Sequence, residues 1–228
     1  IFIEAGAGTA AGFPDLAYTD AGAKTSTAND IAGSVDIFVH VQPPTIEEVG
    51  ALKNGSIVVS TMNARSNSSL VSALASSGST ALAMELVPRI ARAQRMDVLS
   101  SQASIAGYKA ALLAANSLGK YLPMMMTAAG TIPPAKILVL GAGVAGLQAI
   151  ATARRLGAVV EAFDVRAAAG EQVESLGAKF IQPPAAEDAE GAGGYAREQT
   201  EDEQKKQREF LKEHIAQSDA VITTAAIP

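Results

Sequence analysis

A glycine-rich turn between an apolar segment and a helical one is the feature that most constrains the fold of this chain. The turn follows the pattern G-x-G-x-x-G and reads Gly141-Ala142-Gly143-Val144-Ala145-Gly146. It comes after the apolar strand Ile137–Leu140 and opens the helix Val144–Arg155, and a second strand ends in Asp164 about 20 residues further on. This order is typical of the first βαβ unit of a dinucleotide-binding domain.

Each glycine of the turn has its own role in such a site. Gly141 permits the tight turn, Gly143 lets backbone N–H groups approach a pyrophosphate, and Gly146 allows the helix to pack closely on the strand. The amino end of the helix, at Val144 and Ala145, adds partial positive charge. The alternative is an α/β turn without a nucleotide, in which the acidic residue is incidental.

Asp164 indicates which dinucleotide is expected. An acidic residue at this position accepts hydrogen bonds from the adenosine ribose hydroxyls, so NAD(H) is the predicted cofactor. Arg166 leaves an alternative open, because an arginine in this region can receive the 2′-phosphate of NADP. We favour NAD(H).

The rest of the chain alternates between apolar and polar stretches as βα units do. Strands are predicted at Ile1–Glu4, Val35–Val41, Ser56–Thr61, Ala81–Leu86, Lys136–Leu140, Val159–Phe163, Lys179–Ile181 and Ala220–Thr224. Helices are predicted from a capped start at Thr45, over Ser68–Ser77, Ser101–Leu122 with Ser100 or Ser101 as N-cap, Val144–Arg155 and Ala168–Leu176, and from Thr200 to Gln217. The predicted fold class is therefore α/β, with two Rossmann-like domains built on parallel sheets.

The domain organisation follows from this pattern. We expect a first α/β domain at residues 1–100, truncated at its start, and a connecting helix and loop at 101–130. The dinucleotide-binding domain is expected at 131–228, and we expect it to be truncated at its end. The segment Pro183–Tyr195 is predicted to be an exposed loop.

Charge and composition exclude several classes of function. The net charge of −5 and the pI near 5.1 argue against nucleic acid as a partner, because phosphate binding needs clustered Lys and Arg. The chain has no cysteine, which excludes a disulfide framework, a thiol nucleophile and a cysteine metal site, and we predict no metal. It lacks an apolar run long enough to cross a bilayer, so we expect a soluble chain.

A second group of polar residues precedes the long helix. It contains Arg89, Gln94, Asp97, Ser100, Ser101 and Gln102. If this stretch is helical, Gln94, Asp97 and Ser101 share a face. Spacing alone equally allows a polar, capped helix start, because Ser and Asp often cap helices.

A family resemblance favours the first interpretation. The chain resembles the NAD(H)-binding component of proton-translocating nicotinamide nucleotide transhydrogenases. The resemblance covers essentially the whole chain. It is most specific at Met84–Arg89, Arg92–Gln102, Ala106–Tyr108, Pro123–Gly130, Gly141–Gly157, Asp164-Val165-Arg166 and Glu171–Gly177.

The resemblance implies a fold shared with alanine dehydrogenase, a homodimer, and NAD(H) in the cleft between two domains. It places Arg89, Gln94, Asp97 and Ser100 around the nicotinamide and its ribose, as the catalytic group. It assigns the cofactor site to Gly141, Gly143, Val144, Ala145, Gly146, Asp164, Val165, Arg166, Tyr195, Thr223, Thr224 and Ala225. Tyr195 would belong to a mobile loop that closes over the nucleotide, and the alternative is a solvent-exposed loop residue.

The implied partners are an NADP(H)-binding component, which carries the second nucleotide, and a membrane-spanning component that translocates protons. The chain would then be the soluble portion at the face of a membrane, either the cytoplasmic side in bacteria or the matrix side in mitochondria.

Three functions are compatible with a dinucleotide-binding chain of this kind. Hydride transfer between two nicotinamides needs no acid or base, because no oxygen is protonated. An alanine dehydrogenase-like enzyme needs one, yet His40 stands where those enzymes have a substrate-binding lysine, and Ser60–Ala64 holds no histidine. A non-catalytic NAD-binding module needs no polar group at Arg89–Ser100. The sequence favours transhydrogenation.

Two remaining features are predicted to be structural. The methionines at 124–126 are expected in the core, since Met fills irregular apolar gaps. His214 is expected to be a solvated residue of a charged helix.

Overall fold

The described residues are 1–88, 90–183 and 200–225 of the structure, which is a computed structural model. The chain divides into two units, Ile1–Val98 and Leu99–Pro228. Arg89, Tyr195 and nearly all of the predicted loop Pro183–Tyr195 lie outside the described residues. Within those residues, the structure contains no helix with the length and apolar character needed to cross a membrane.

The first unit contains two parallel sheets. Its strands are β1 (Phe2–Glu4), β2 (Lys24–Ser26), β3 (Ile37–Val39), β4 (Ile57–Ser60) and β5 (Thr80–Ala83). The first two pair with each other, and the other three form a sheet with β4 in the centre. The helices of this unit are α1 (Asp15–Asp20), α2 (Ala28–Ser34), α3 (Ile46–Ala51) and α4 (Ser68–Ser76).

Local capping explains where two of these helices begin. Thr45 and Glu48 form the predicted capping box of α3, in which each side chain accepts a hydrogen bond from the backbone N–H of the other residue. Asn67 caps α4 through Leu70 N–H. The buried side chains of Val58 on β4 and Leu70 on α4 then pack in one core.

The segment after β5 differs from its prediction. It forms short 3-10 helices at Met84–Leu86 and Ala91–Met96, and the long helix α5 runs over Val98–Ser117. Because α5 begins at Val98, Ser100 and Ser101 lie inside its first turn, and the prediction that one of them caps it is wrong. The change of helix type after Met96 also means that Gln94, Asp97 and Ser101 do not share the face of one α-helix.

A two-stranded hairpin follows α5, and the sequence did not predict it. Its strands are β6 (Met125–Thr127) and β7 (Gly130–Ile132), which pair antiparallel. Met126 is 81% exposed and Met124 is 60% exposed, so the prediction that these methionines fill the core is wrong.

The second unit is built on a four-stranded parallel sheet. Its strands are β8 (Lys136–Leu140), β9 (Val159–Phe163), β10 (Lys179–Phe180) and β11 (Ala220–Thr223). They lie in the order β10-β9-β8-β11. The accompanying helices are α6 (Val144–Arg155), α7 (Ala169–Ser175) and α8 (Glu201–Ala216).

Both faces of this sheet are covered, as the apolar strands require. On one face, Ile137 and Val139 of β8 pack with Ile150 of α6 and Ala111 of α5. On the other face, Leu138 packs with Leu211 of α8. The alternation along β8 therefore fixes which helices lie on which side.

A polar contact also attaches α8 to the sheet. His214 Nδ1 lies 2.7 Å from Glu161 Oε2, and Lys179 Nζ lies 2.8 Å from Glu161 Oε1. Burial raises the pKa of Glu161, but the hydrogen bonds from Lys179 and His214 outweigh burial and leave that pKa lowered. The prediction that His214 is simply solvated is wrong, because its ring packs on Phe210 and bonds to the sheet.

Helix α5 approaches α6 as closely as two backbones allow. A Cβ atom added at Gly107 would lie 2.0 Å from the carbonyl oxygen of Ala145. No side chain fits at that distance, and the contact lies at the first turn of α6. Gly107 therefore fixes the position of the helix end on which the glycine-rich turn depends.

We expect Gly107→Ala to lower the free energy of unfolding by about 2 kcal/mol, since the added methyl group must push α5 away from α6. Urea unfolding followed by circular dichroism measures this change. Gly50→Ala is the matched control, because Gly50 is also helical but its added Cβ meets nothing within 4 Å. Equal stability of the two variants would contradict the close contact.

Candidate dinucleotide site

The strand order places the glycine-rich turn at a topological switch point of the sheet. From β8 the chain crosses to β9 on one side, and it later returns to β11 on the other side of β8. The carboxyl ends of β8 and β11 therefore leave a crevice between diverging connections, which is where open α/β sheets bind ligands. The turn Gly141–Gly146 follows β8, and Thr224 follows β11.

Gly141 and Gly146 lie where side chains do not fit. Gly141 has a φ of +97°, a conformation that favours glycine, and an added Cβ would lie 2.8 Å from the backbone nitrogen of Ala225. At Gly146 an added Cβ would lie 1.8 Å from the carbonyl oxygen of Gly141. These contacts bring the first turn of α6 directly onto the end of β8, as predicted for these two glycines.

Gly143 has the opposite environment. An added Cβ would meet nothing within 4 Å, and the residue is exposed. Gly143 is also the N-cap of α6, and as a glycine it has no side chain with which to cap that helix end. The first turn of α6, at Val144 and Ala145, therefore begins beside an exposed glycine, and the partial positive charge of its backbone N–H groups fits the pyrophosphate of a dinucleotide.

Thr224 ties the end of β11 to the turn. Its backbone N–H donates to the carbonyl oxygen of Leu140 at 2.8 Å, and its hydroxyl donates to the carbonyl oxygen of Gly141 at 2.9 Å. Thr223 is exposed at the last position of β11, and Ala225 is exposed beside Gly141. Thr224 and Ala225 thus border the turn, and Thr223 pairs with Leu140 directly before it.

The Asp164 carboxylate lies at the end of β9 and is almost fully buried, at 7% exposure. Its Oδ2 accepts a hydrogen bond from Ala142 N–H at 2.7 Å, and its Oδ1 accepts one from Arg166 N–H at 2.9 Å. The guanidinium of Arg166 adds two more, from Nε to Oδ1 at 2.9 Å and from Nη2 to Oδ2 at 3.0 Å. Asp164 therefore connects the strand end directly to the glycine-rich turn.

Burial and pairing act in opposite directions on Asp164. Desolvation raises the pKa of this carboxyl, but the hydrogen bonds from Arg166 and Ala142 together outweigh it and hold the pKa below the ordinary value. Asp164 is therefore ionised at neutral pH, and Arg166 balances its charge within the protein. Val165, between them, packs its side chain into the core beneath α8.

The residues predicted around the nicotinamide are spread over different segments of the chain. Gln94 is exposed on the 3-10 helix Ala91–Met96, Asp97 follows that helix, and Ser100 lies in the first turn of α5. Arg89 is outside the described residues. The role of this group in catalysis stays a prediction.

His40 lies in the first unit, at the end of β3. Its Nδ1 is 2.7 Å from the carbonyl oxygen of Gln42, and its ring stacks on Phe38. Its Nε2 is 3.9 Å from a carboxylate oxygen of Glu48. No group of three or more metal-ligating side chains occurs in the described part of the chain.

Two residues that shape the site were not predicted from the sequence. Ala142 carries no functional side chain, so only the fold reveals that its N–H reaches Asp164. Gly107 is the other, although a glycine inside an otherwise Ala-rich helix is a signal of close packing.

Models of two protein domains match almost the entire chain. The model described as "Alanine dehydrogenase/PNT, N-terminal domain" matches residues 1–106, and "Alanine dehydrogenase/PNT, C-terminal domain" matches residues 110–228. The second match alone covers more than half of the chain and includes all of the glycine-rich turn.

Individual relatives agree with these domain matches. The chain is 50% identical over its full length to an NAD(P) transhydrogenase alpha-subunit polypeptide of Rhodospirillum rubrum, of which it covers 62%. It is 51% identical to a transhydrogenase of Sinorhizobium meliloti of known crystal structure, with a TM-score of 0.85, covering all of this chain and 60% of that one. The alanine dehydrogenase of Mycobacterium tuberculosis is 29% identical over 79% of this chain and 48% of its own. The chain therefore spans about three fifths of the length of these two transhydrogenase relatives.

The lowered pKa of Asp164 predicts a specific pH dependence of stability. A carboxyl with a lower pKa in the folded state stabilises the fold above its ordinary value of 3.8, and this stabilisation is lost as the pH falls through the folded value. Asp164→Asn is thus expected to cost about 2 kcal/mol at pH 7 and less at pH 3. Urea unfolding at both pH values measures the difference.

The control for this prediction is Asp20→Asn, which removes an exposed carboxylate at the end of α1. This variant is expected to stay within about 0.5 kcal/mol of the natural sequence. A constant gap between Asp164→Asn and the natural sequence from pH 7 to pH 3 would show that ionisation of Asp164 contributes nothing.

Proposed function

The chain belongs to the alanine dehydrogenase/PNT family, and from this premise we propose that it binds NAD(H) and presents it for direct hydride transfer to or from NADP(H) on a partner. The whole protein would be a proton-translocating NAD(P)+ transhydrogenase. One observation carries the proposal: α6 begins after Gly143, a residue without a capping side chain, beside a buried, ionised Asp164, in a chain 50% identical to a transhydrogenase subunit.

The residues of the second unit would hold the nucleotide by its adenosine half. The N–H groups of Val144 and Ala145 and the dipole of α6 would bind the pyrophosphate, which Gly143 leaves room to approach. Asp164 would accept hydrogen bonds from the adenosine ribose. Thr224 holds the turn in place and so keeps these groups oriented.

The nicotinamide supplies the hydride chemistry when NAD(H) is bound. The protein then has to orient the ring and exclude water, and it needs no acid or base. We propose Arg89, Gln94, Asp97 and Ser100 for the nicotinamide end, with Tyr195 covering the nucleotide.

His40 supports this proposal over an alanine dehydrogenase-like reaction. A general base must lie within hydrogen-bond reach of the proton that it takes. His40 stands where alanine dehydrogenases have a substrate-binding lysine, and the contact of its Nδ1 with the carbonyl oxygen of Gln42 at 2.7 Å holds the ring at the end of β3. The loop after β4, residues 61–67, contains no His, Asp or Glu that could serve as the base.

The proposed assembly has three further parts. An NADP(H)-binding component would accept or supply the hydride, a membrane-spanning component would translocate protons, and the chain would form a homodimer at the face of that membrane. An exposed apolar pair on α5 supports a protein partner, since Ile105 is 58% exposed, Tyr108 is 50% exposed and the two lie one turn apart on one helix face. Domains at residues 1–100 and 131–228, joined by 101–130, would organise the subunit.

We expect Gly143→Ala to weaken NADH binding at least tenfold without changing stability. The added methyl group meets no protein atom within 4 Å, but it would occupy the space through which the pyrophosphate approaches α6. Isothermal titration calorimetry measures the affinity, and thermal unfolding measures the stability.

Gly146→Ala is the matched comparison for this prediction. Its added Cβ would lie 1.8 Å from the Gly141 carbonyl oxygen, so this variant should lose stability as well as binding. NADH affinity that is unchanged in Gly143→Ala would place the pyrophosphate elsewhere and contradict the proposed site.

We expect hydride transfer to depend on the partner. In a mixture of the full-length protein, an NADP(H)-binding component and an oxidised NAD analogue, NADPH should reduce the analogue. Gln94→Asn should slow this reaction while NADH affinity stays nearly constant, because shortening the side chain removes an orienting contact. The exposed Gln172→Asn on α7 is the control and should leave the rate unchanged.

Two results would contradict this proposal. The first is oxidation of alanine by NAD with the chain alone, which would indicate a dehydrogenase. The second is a complete mixture that binds NADH normally but transfers no hydride, which would favour a non-catalytic NAD-binding module.

A further inference from the structure

The Asp164 carboxylate has no acceptor site to spare in this structure. A carboxylate offers roughly four acceptor positions on its two oxygens. Four N–H groups of the protein already donate to Asp164, two of them from the guanidinium of Arg166. A ribose hydroxyl that bonds to this carboxylate therefore has to displace one of these donors.

The four donors differ in how easily they move. Ala142 N–H belongs to the turn that Gly141 and Gly146 fix, and Arg166 N–H belongs to the backbone two residues after Asp164. The guanidinium lies at the end of a flexible side chain that is 23% exposed. Displacement by a ribose thus falls on the guanidinium.

We infer that Asp164 and Arg166 form one specificity element, in which Asp164 withholds from the ligand a guanidinium able to bind a 2′-phosphate. This inference rests on the proposed binding of NAD(H). Arg166 thus stays committed to the carboxylate and does not favour NADP(H), although an arginine in this region is the usual receptor of a 2′-phosphate.

The charges of the pair explain the direction of selectivity. In the bidentate contact, the Asp164 carboxylate neutralises the positive charge of the Arg166 guanidinium. A 2′-phosphate that approaches therefore meets a nearly neutral pair that includes a carboxylate of like charge. Ribose hydroxyls can replace guanidinium N–H groups as donors to Asp164, whereas a phosphate has no such donor at neutral pH. Neutralising Asp164 releases the guanidinium and reverses the preference.

The experiment compares NADH and NADPH binding by calorimetry in variants at the two positions. Asp164→Asn keeps an oxygen acceptor for Ala142 N–H but removes the charge that holds Arg166. We expect this variant to bind NADPH on the order of tenfold more tightly than the natural sequence. The double variant Asp164→Asn/Arg166→Gln should lose that gain.

The matched control is the double variant Asp164→Asn/Arg155→Gln. It has the same net charge as the other double variant, but Arg155 is exposed at the opposite end of α6 from the turn. This control should keep the NADPH gain. Loss of the gain in both double variants would show a general charge effect and overturn the inference.

Three other outcomes are decisive. If the double variant Asp164→Asn/Arg166→Gln keeps the gain in NADPH affinity, simple repulsion by Asp164 sets selectivity and the inference is overturned. If Asp164→Asn folds but binds NADPH no more tightly than the natural sequence, the inference is also overturned. Failure of the natural sequence to bind either nucleotide would instead contradict the proposed function.

A second variant tests the inference with Asp164 in place, should Asp164→Asn not fold. In Arg166→Gln alone, NADPH affinity should be no lower than in the natural sequence, because the guanidinium is already held by the carboxylate. A marked loss of NADPH affinity would show that Arg166 reaches the phosphate without leaving Asp164, and the specificity element would not exist.

Discussion

The site depends on a steric constraint at the first turn of α6, whose backbone is in close contact with the turn after β8 and with helix α5. An added Cβ at Gly146 would lie 1.8 Å from the Gly141 carbonyl oxygen, and one at Gly107 would lie 2.0 Å from that of Ala145. The turn after β8 and the helix α5 therefore hold the same helix end. Because that end is fixed, Ala142 N–H reaches Asp164 and the helix dipole points at the open space beside Gly143.

This constraint explains why the second unit was largely predictable from sequence. The predicted bounds of β8, α6 and β9 agree with the structure, since the periodicity, the glycine spacing and the acidic strand end all indicate the same unit. The sequence also identified Asp164 and Arg166 but treated Arg166 as an argument about NADP. The pairing of their side chains depends on rotamers and distances, which spacing along the chain does not contain.

The first unit and the connecting segment were less predictable, for a physical reason. The helices α1 and α2 and the strand β2 are short and rich in Ala, Thr and Ser, so their burial is too slight to produce a clear periodicity. The methionines at 124–126 are apolar, but no nearby segment of the sequence shows the alternating pattern that would predict a second strand and hence a hairpin. Their apolar character predicted a place in the core, whereas all three are exposed.

The buried position of Asp164 links stability to selectivity. An unpaired carboxylate at 7% exposure would be costly, so the fold requires donors around it, and Arg166 supplies two of the four through its guanidinium. The two backbone N–H donors are fixed by the fold, so only the guanidinium of Arg166 can be replaced by other hydrogen-bond donors. Ribose hydroxyls that replace it keep the carboxylate satisfied, whereas an incoming phosphate would leave it short of donors. The same hydrogen bonds that make the burial of Asp164 tolerable therefore determine which ligand can take their place.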